Sequence, residues 1–487
     1  MLDTKTRIIE SFYGSFIDGR MVDEGSTPTF DSINPANGEV ITSVQAGSQS
    51  EVDDAVANAK AAFPAWRDLP GVEKGRIFLR IAEKIKENTE RLVYLEALDN
   101  GKSRMDAQFD VITSARYFEY YAGLADKLAG ETIPLGDTHI SYTRSEPFGV
   151  TAHIVPWNAA FQQAARGVAP ALLAGNTAVV KPAEDTSITT IELARIAVEA
   201  GLPAGVFNVV TGLGKDAGAA LVSHPDVGRV TFTGSVPTGQ EIMRASAENL
   251  NPLTLELGGK SPNIIFKDAK LDDAIRGAFF AININAGQVC AAGSRLLVHS
   301  SVHDQVVDKL VEMNRQIKVG PGTAEDTQMG AITTAAQFDK IQEYLQIGRD
   351  EGAEVAVGGA RATGELLDAG RFIQPTIFVG VKNSMRIAQE EIFGPVLSVI
   401  KFDTEEEAVQ IANDTRYGLT AGVWTQNLGR AHRMAAQIQA GQVNVNDYFA
   451  GGVQAPFGGF KQSGYGREKG VHAVSEYLQT KTVSMKL

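Results

Sequence analysis

The 487-residue chain has a single cysteine, seven histidines and no cluster of basic residues. One cysteine excludes an internal disulfide. Together with the lack of a signal-peptide core in residues 1–20, it predicts a reducing, cytoplasmic location. The formal net charge is −13, and no run of Lys and Arg interrupts it. Binding to nucleic acid or to an anionic membrane surface is therefore not expected.

Long apolar runs and clusters of metal ligands are also missing. The most apolar stretch, residues 168–180, is interrupted at residues 175–177, whereas a membrane-spanning helix needs roughly 18 or more apolar residues. The only close pair of histidines is His299 and His303, which lies across a predicted strand–helix boundary. Two isolated histidines make a poor metal site, so we expect neither a membrane span nor a bound metal.

What the chain does contain is a regular alternation of short apolar and amphipathic segments, with 44% apolar and 21% charged residues overall. Two or three domains are expected from the length. Predicted strands cover residues 150–155, 177–181, 206–210, 229–233 and 253–257, and predicted helices cover residues 164–173, 188–200, 218–223 and 239–247. Such alternation predicts a doubly wound parallel sheet, and therefore an α/β fold.

The alternation resumes after Gly259, with predicted strands at residues 263–266 and 295–298 and a predicted helix at residues 303–317. This pattern predicts a second α/β unit. Upstream of both units, residues 51–66 and 75–98 have long helical patterns rich in Ala, Glu, Lys and Arg.

Cys290 has two interpretations. A free cysteine is commonly a small, buried apolar residue. The alternative is a reactive thiol, and the surrounding sequence favours it. An apolar helical run at residues 274–281 is broken by Gly287-Gln288, and the small residues 291–293 follow the sulfur. This arrangement leaves open backbone around the thiol, as the approach of a carbonyl substrate requires.

Seven motifs in a fixed order extend the argument to nearly the whole chain. They are residues 155–158 (VPWN), 181–184 (KPAE), 232–235 (FTGS) with Gly239, 255–260 (LELGGK), 287–290 (GQVC), 391–395 (EIFGP) and 456–461 (PFGGFK). Each motif alone is weak, but the ordered set resembles the aldehyde dehydrogenase superfamily in its hydrolytic, non-CoA-acylating branch. The resemblance implies NAD-dependent oxidation of an aldehyde to the carboxylic acid.

The chemistry implied by this resemblance can be matched to residue types. Cys290 would attack the aldehyde and carry first a thiohemiacetal and then a thioester. Asn158 and the backbone N–H of Cys290 would form the oxyanion hole, and Glu256 would be the base for hydrolysis. On local grounds alone, Asn158 is equally a turn residue, and Glu256 is equally a charged partner at a strand edge.

The resemblance also implies NAD as the cofactor, with NADP disfavoured because the carboxylate of Glu184 would repel a 2′-phosphate. Ser235 and the helix that follows it can hold a pyrophosphate. On local grounds Phe393 is equally an ordinary core residue. The residues assigned to the cofactor are Trp157, Lys181, Glu184, Gly214, Gly234, Ser235, Gly239, Glu391 and Phe393.

Four residues are assigned to the substrate. Ala159, Gln163 and Arg166 share one helical face by their i, i+4, i+7 spacing, and in the family this face lines the tunnel to the cysteine. The fourth is Phe457. A guanidinium on the wall suits a carboxylate, and Ala159 leaves room for a bulky group. We therefore expect a semialdehyde or a carboxylated or aromatic aldehyde. Plain aromatic or aliphatic aldehydes are the second choice of substrate. The alternative for Arg166 is that its side chain turns outward and pairs with an acidic group.

By the same resemblance, residues 1–125 and 146–256 form the dinucleotide-binding domain and residues 257–445 the catalytic domain. Residues 126–145 and 446–487 form a small β oligomerisation arm and a substrate-loop region. Residues 131–146 would pair with residues 477–487. An unpaired strand edge there would find a partner, so a homodimer or homotetramer is expected.

Three alternatives remain open at this point. A CoA-acylating relative would pass the acyl group to a thiol, but such relatives lack a base at the position of Glu256. A binding or structural protein could use the same scaffold without catalysis. An alcohol-type dehydrogenase would work without the covalent step, and alkylation of its thiol would leave it active.

Overall fold

The structure is a computed structural model that describes residues 9–25 and 27–487. The predicted lack of a signal-peptide core and the predicted first domain both include residues 1–8. For those eight residues, both predictions lie outside the described range. The strands are β1 (Phe12–Tyr13), β2 (Phe16–Ile17), β3 (Arg20–Met21), β4 (Thr29–Ile33), β5 (Val40–Gln45), β6 (Thr132–Ile133), β7 (His139–Pro147), β8 (Val150–Val155), β9 (Thr177–Pro182), β10 (Phe207–Val209), β11 (Val227–Thr233), β12 (Leu253–Glu256), β13 (Pro262–Ile265), β14 (Arg295–His299), β15 (Glu354–Val357), β16 (Thr376–Val379), β17 (Val396–Phe402), β18 (Thr420–Trp424), β19 (Gln442–Val445), β20 (Gly464–Tyr465) and β21 (Leu478–Lys486).

The helices pack against these strands and against each other. They are α1 (Gln49–Asp68), α2 (Gly71–Glu87), α3 (Thr89–Asn100), α4 (Arg104–Ala122), α5 (Ala160–Leu173), α6 (Ile188–Glu199), α7 (Ala219–Ser223), α8 (Val236–Asn249), α9 (Leu271–Asn283), α10 (His303–Arg315), α11 (Ala335–Asp350), α12 (Arg386–Gln389), α13 (Glu405–Asn413), α14 (Leu428–Gln437) and α15 (Gly470–Glu476). In the described ranges, none of these helices is long and apolar enough to span a membrane.

The first sheet has the strand order β20-β12-β11-β8-β9-β10-β2-β3, and β12 to β10 run parallel. Successive residues of β9 face opposite sides. Val180 packs with α5 and α6, whereas Val179 packs with α1, α7 and α8. Both faces of the sheet are therefore covered by helices, which explains the continuous apolar runs in its strands. The predicted doubly wound fold is confirmed.

The second sheet has the order β15-β16-β17-β14-β13-β18-β19, in which every pair except β15–β16 is parallel. Leu297 and Val298 on β14 again face opposite ways. Val298 packs with α9 and α10, and Leu297 packs in the cluster that contains α11, α13 and α14. The predicted second α/β unit is therefore present.

The tail returns to the middle of the chain. β21 pairs antiparallel with β7 from the pair Leu478–Pro147 to the pair Lys486–His139, and β6 extends the sheet on the other side. This is the predicted pairing of residues 131–146 with residues 477–487. β20 lies in the same C-terminal region but hydrogen-bonds to β12 of the first sheet. The residue limits of the three predicted units remain a proposal.

Two local predictions differ from the structure. The helical pattern at residues 75–98 is two helices, α2 and α3, separated at Asn88 (φ −98°, ψ 11°), whose side-chain Nδ2 donates to the carbonyl of Lys84 at 2.9 Å. Asn competes for backbone hydrogen bonds and so favours helix ends. The helix predicted at residues 218–223 begins with a π-helical turn, Gly214–Gly218, before α7.

Candidate active site

A left-handed turn precedes Cys290. Asn285, Ala286 and Gly287 have φ angles of 49°, 51° and 70°, a region that residues with a Cβ rarely adopt. A Cβ on Gly287 would collide with the backbone of Gly394. The end of α9 is thus turned back tightly, and the loop that follows carries the thiol into the interior.

A cavity of about 450 Å³ opens onto Cys290. Its volume suits a small organic ligand. Five residues predicted for the site from the sequence line it beside the cysteine, namely Asn158, Ala159, Gln163, Arg166 and Phe457. Gln163 and Arg166 on α5 therefore line the cavity at the thiol as predicted, and Ala159 lines it from the N-cap position just before the helix.

Cys290 is half-buried. Burial raises the pKa of its thiol to about 12, the charge of Arg166 acts in the opposite direction, and Glu256 and Glu391 raise the pKa further. The resting sulfur is therefore protonated at neutral pH. In the described part of the chain, no hydrogen-bond acceptor engages the backbone N–H of Cys290, so this donor is available to a ligand.

Asn158 is held from both ends. Its backbone carbonyl accepts hydrogen bonds from Lys102 Nζ and Asn285 Nδ2, each at 2.9 Å, and its side-chain Nδ2 donates to the carbonyl of Gln288 at 2.8 Å. An amide nitrogen carries two hydrogens. The Gln288 carbonyl occupies one of them, fixes the plane of the amide and leaves the second hydrogen unused.

Glu256 ends β12 and is almost completely buried, with 1% of its surface exposed. Within residues 9–25 and 27–487, no donor reaches either oxygen of its carboxylate, and Glu256 is not among the residues lining the cavity. Burial raises the pKa of this carboxyl to about 8, the nearby Glu468 adds to the rise, and Arg166 opposes it. An ionisable group with a pKa near neutrality is suited to proton transfer.

Arg166 faces inward, so its predicted alternative, an outward orientation, is wrong. The guanidinium is nevertheless paired with an acid, because its Nε forms a buried ion pair with Glu468. Its Nη2 donates weakly to Thr233 at 3.4 Å, and the guanidinium lies 5.5 Å from the ring centroid of Phe457. The positive charge of Arg166 is therefore already balanced by the protein.

Glu468 and Lys469 were missed by the sequence reasoning, yet Glu468 is buried beside Arg166 and Lys469 lines the cavity. One signal was present, since residues 467–469 are three consecutive charges between Gly466 and Gly470. Nothing in the sequence indicates that this segment folds back, pairs its backbone with Phe457 and so reaches the cysteine.

The residues predicted for the cofactor form a separate group beside the first sheet. Lys181 Nζ lies 2.9 Å from the carboxylate of Glu184. Burial opposes ionisation of Glu184, but the Lys181 ammonium outweighs it, and the pKa falls below its usual value with help from the backbone of Gly214. Glu184 is thus a carboxylate at neutral pH, with 40% of its side chain exposed.

The turn after β11 supplies the helix start that a pyrophosphate would need. The backbone N–H of Gly234 donates to the carbonyl of Glu256 at 3.0 Å, and Ser235 Oγ caps α8 by accepting from the N–H of Thr238 at 3.3 Å. A Cβ on Gly239 would lie 2.7 Å from a methyl carbon of Leu257. A side chain at position 239 would therefore require Leu257 to shift.

The remaining predicted contacts lie nearer the cysteine. The partly buried Glu391 carboxylate accepts the N–H of Gly259 at 2.9 Å, and a Cβ on Gly258 would collide with it. Trp157 and Phe393 pack edge to face, with 5.3 Å between ring centroids. The Lys181–Glu184 ion pair, the start of α8 and the Glu391 carboxylate beside the bare backbone of Gly258 and Gly259 together fit a dinucleotide.

No group of three or more His, Cys, Asp and Glu side chains arranged to hold a metal ion occurs in the part of the chain described. His299 and His303 lie at the end of β14 and the start of α10, as the sequence predicted.

Comparison with known proteins gives a consistent result. Residues 21–483 match the model of the aldehyde dehydrogenase family. An aldehyde dehydrogenase of Emericella nidulans is 45% identical over all of this chain and 97% of its own, and a betaine aldehyde dehydrogenase of Bacillus subtilis is 44% identical over 96% of each chain. The solved NAD+ complex of an aldehyde dehydrogenase from Bacillus cereus superposes with a TM-score of 0.97 at 42% identity, over 99% of this chain and 98% of that one. The chain therefore belongs to the aldehyde dehydrogenase family.

Proposed function

We propose that the protein is an NAD-dependent aldehyde dehydrogenase that oxidises an aldehyde to the carboxylic acid through a covalent thioester on Cys290. The observation that carries the proposal is the position of the only thiol of the chain at a cavity of about 450 Å³, with the amide of Asn158 on its wall and the buried, unpartnered carboxyl group of Glu256 close enough to influence the pKa of the thiol.

NAD, when bound, supplies the hydride acceptor. Lys181, Glu184 and Gly214 would hold the adenosine end, and Gly234, Ser235 and Gly239 the pyrophosphate at the start of α8. Glu391 would hold the nicotinamide ribose, with Trp157 and Phe393 packed near the ring. The ionised Glu184 disfavours the 2′-phosphate of NADP by like-charge repulsion.

In the first step the Cys290 thiol gives up its proton to water, its sulfur forms a bond to the carbonyl carbon, and the C=O π electrons move to the oxygen, which becomes an alkoxide. Two donors in the chain suit this oxygen, the free backbone N–H of Cys290 and the second amide hydrogen of Asn158. Such preorganised donors are typically worth about 10²–10³-fold in rate.

In the last step water replaces the sulfur. Glu256 accepts a proton from the water, the hydroxyl oxygen bonds to the thioester carbon, and the thiolate of Cys290 leaves. A base with a pKa of about 8 can take this proton near neutral pH and release it afterwards. Transfer to the thiol of coenzyme A, the main alternative, would need no such base, so the presence of Glu256 favours hydrolysis.

The substrate proposal is an aldehyde with a bulky or aromatic body, a semialdehyde or a carboxylated aldehyde. The small Ala159 on the cavity wall supports the bulky body. Arg166 gives weaker support to a carboxylate than the sequence predicts, because Glu468 already balances its charge.

We also propose a cellular location and a subunit assembly for the enzyme. A cytoplasmic location would keep the functional thiol reduced. The edge strand β21 would join subunits of a homodimer or homotetramer. No nucleic acid or membrane partner is proposed.

The test compares wild type with Cys290→Ala and Cys290→Ser in an assay of NAD reduction with benzaldehyde. We expect both variants to lose nearly all turnover and to keep NAD affinity close to wild type, because the sulfur carries the covalent step and not the cofactor site. A tenth or more of wild-type turnover in Cys290→Ala would refute the covalent mechanism. An absence of NAD reduction in wild type with any of a panel of aldehydes would favour a non-catalytic scaffold.

A further inference from the structure

Among the residues that the structure describes, three cationic side chains line the cavity at Cys290, namely Arg116, Arg166 and Lys469. Arg116 forms an ion pair with Glu119, and Arg166 forms one with Glu468. Lys469 differs from both. Across residues 9–25 and 27–487, no carboxylate lies within 4 Å of its ammonium nitrogen, and the hydrogen bond that it donates, to the carbonyl of Gly452, is long at 3.4 Å.

The ammonium of Lys469 is held at the cavity by an aromatic ring. Its Nζ lies 4.9 Å from the ring centroid of Phe457, and the Arg166 guanidinium also packs on that ring. Phe457 is fixed in turn, because its backbone N–H and carbonyl both pair with Glu468 at 2.7 Å. Its side chain packs with Ala291, beside the cysteine. The free cation therefore lies in the same compartment as the thiol.

The backbone at Lys469 supports a functional reason for this side chain. Its φ of 61° and ψ of 170° fall in a region that is essentially restricted to glycine. Gly470, the next residue, shows that the chain uses glycine in this turn. A lysine in such a conformation is destabilising, and across residues 9–25 and 27–487 no ion pair within 4 Å offsets this cost, which points to a use for its ammonium in the cavity.

The acids of the cavity wall have partners. Asp110 accepts a hydrogen bond from the buried Lys102 at 2.5 Å, and Asp106 accepts one from the hydroxyl of Ser103 at 2.8 Å. Burial lowers the pKa of Lys469 to about 8 and Arg166 contributes to the fall, while Cys290, Glu256 and Glu468, the last of which is ion-paired with Arg166, oppose it. Lys469 therefore still carries its charge at neutral pH. An unbalanced charge in a partly desolvated cavity attracts an opposite charge more strongly than it would in water.

From these contacts we infer that Lys469, rather than Arg166, binds a carboxylate carried by the substrate, so that the preferred substrates are aldehydes with a second, anionic end. The inference rests on the proposed function, because it assigns the substrate class of the same site. An ammonium is a compact point charge with three donors, which suits a carboxylate approaching along the cavity without the fixed geometry of a guanidinium.

The test measures kcat/KM for two aldehydes of similar size, para-carboxybenzaldehyde and para-methylbenzaldehyde, in the full-length protein with NAD. The informative quantity is the ratio of the first to the second. In Lys469→Met we expect this ratio to fall about 10- to 100-fold, the range for a lost charged hydrogen bond. Lys469→Arg keeps the charge and should retain most of the ratio.

Two further variants control for loss of the fold and for the change in net charge. Lys469→Gly also removes the ammonium, and it relieves the backbone at φ 61°, so loss of the fold would not account for its lower ratio. Lys127→Met makes the same change in net charge at an exposed lysine paired with Asp126 and should leave the ratio as in wild type.

The possible outcomes distinguish failure of the inference about Lys469 from failure of the proposed function. If wild type oxidises para-methylbenzaldehyde and the ratio is the same in Lys469→Met and Lys469→Gly as in wild type, the inference is refuted and the proposed function stands. If wild type prefers the uncharged aldehyde, the inference is likewise refuted. If wild type oxidises neither aldehyde nor any other with NAD, the proposed function fails and the inference fails with it.

Discussion

Glu256 combines full burial with the absence of a hydrogen-bonding partner in the part of the chain described. A carboxylate left in this way is strongly disfavoured relative to the neutral acid. The group is therefore protonated in the resting protein below a pH of about 8. This environment makes ionised Glu256 a stronger base towards water. It also lowers the fraction of Glu256 that is ionised at neutral pH.

We expect Glu256→Gln to form the thioester once and then stall. Reduced nicotinamide should appear as a burst of about one equivalent per site, and steady-state turnover should fall about 10²–10⁴-fold, the usual worth of general-base assistance. Mass spectrometry of the quenched protein should find the acyl group on Cys290. The exposed Glu248→Gln is the matched control. Normal steady-state turnover in Glu256→Gln would mean that another group activates the water.

The pH dependence of the hydrolytic step follows from the same group. The base form of Glu256 exists above its pKa of about 8, so wild-type thioester hydrolysis should become faster as the pH rises from 6 to 9. In Glu256→Gln the slow residual hydrolysis should lack the inflection near that pKa. Single-turnover measurements across the range would show both, and an identical inflection in the variant would assign it to a different residue.

Glu184 and Lys181 form the ion pair that we assign to the adenosine end of the cofactor. Glu184→Ser removes the negative charge and releases the Lys181 ammonium to meet a 2′-phosphate. We expect the ratio of kcat/KM for NADP over NAD to rise by about tenfold or more, the scale of one charged interaction. Glu184→Asp keeps the charge and should keep the preference for NAD. A wild-type protein that already prefers NADP would contradict this assignment.

Arg166 shows which features of a single residue can be predicted from the sequence and which cannot. Helical periodicity placed Ala159, Gln163 and Arg166 on one face, and the face does line the cavity. The partner of Arg166 could not be found in this way, because Glu468 lies 302 residues further along the chain. Local spacing reports on neighbours within a helix, whereas a tertiary ion pair depends on how distant loops fold back.

At the scale of elements, the turn between α9 and β14 decides where the thiol lies. The apolar helical run at residues 274–281 predicted α9 correctly. The left-handed conformation of Asn285 and Ala286 could not be predicted, because neither residue is the glycine that such angles favour. Conformations of this kind persist when the surrounding structure fixes them, and here Asn285 is hydrogen-bonded to Asn158.

We expect Gly287→Ala to displace this turn. The new Cβ would combine a positive φ of 70° with a collision against the backbone of Gly394 and the nitrogen of Pro395. Turnover should fall at least tenfold, since a shift of about 1 Å at the reacting atom can cost 10²-fold, and the thermal midpoint should fall as well. Gly352→Ala is the control, because its φ is also positive, at 88°, but its Cβ would meet nothing within 4 Å. Equal effects of the two variants would show that backbone angle alone matters.

At the scale of the molecule, the two α/β units were predictable because parallel sheets bury both faces and leave continuous apolar runs at regular intervals. The assignment of β20 was not predictable. Gly464 and Tyr465 have no strand-like run of their own, and they join β12 because the segment after Phe457 folds back over the site. A two-residue strand carries too little sequence signal to compete with its tertiary surroundings.

The sheet formed by β21, β7 and β6 leaves one long edge open. β21 is its outer strand, and in the described ranges no strand pairs with its free side. Leu487 donates its N–H to the carbonyl of Thr138 at 2.9 Å, in register with the strand pair. Hydrogen-bonded and non-hydrogen-bonded pairs alternate in an antiparallel ladder. The odd-numbered residues of β21 therefore bond to β7, and the N–H groups of the even-numbered ones, including Thr482, point outward.

An exposed row of such groups is a template for pairing with another chain, and we expect the protein to be a dimer or tetramer held partly by this edge. Thr482→Pro removes one outward N–H without removing a hydrogen bond to β7, so it should shift the protein towards smaller species in sedimentation velocity at fixed concentration. Thr482→Val keeps the N–H and a β-branched side chain and should sediment like wild type. A monomeric wild type, or a Thr482→Pro variant that sediments unchanged, would show that β21 does not join subunits.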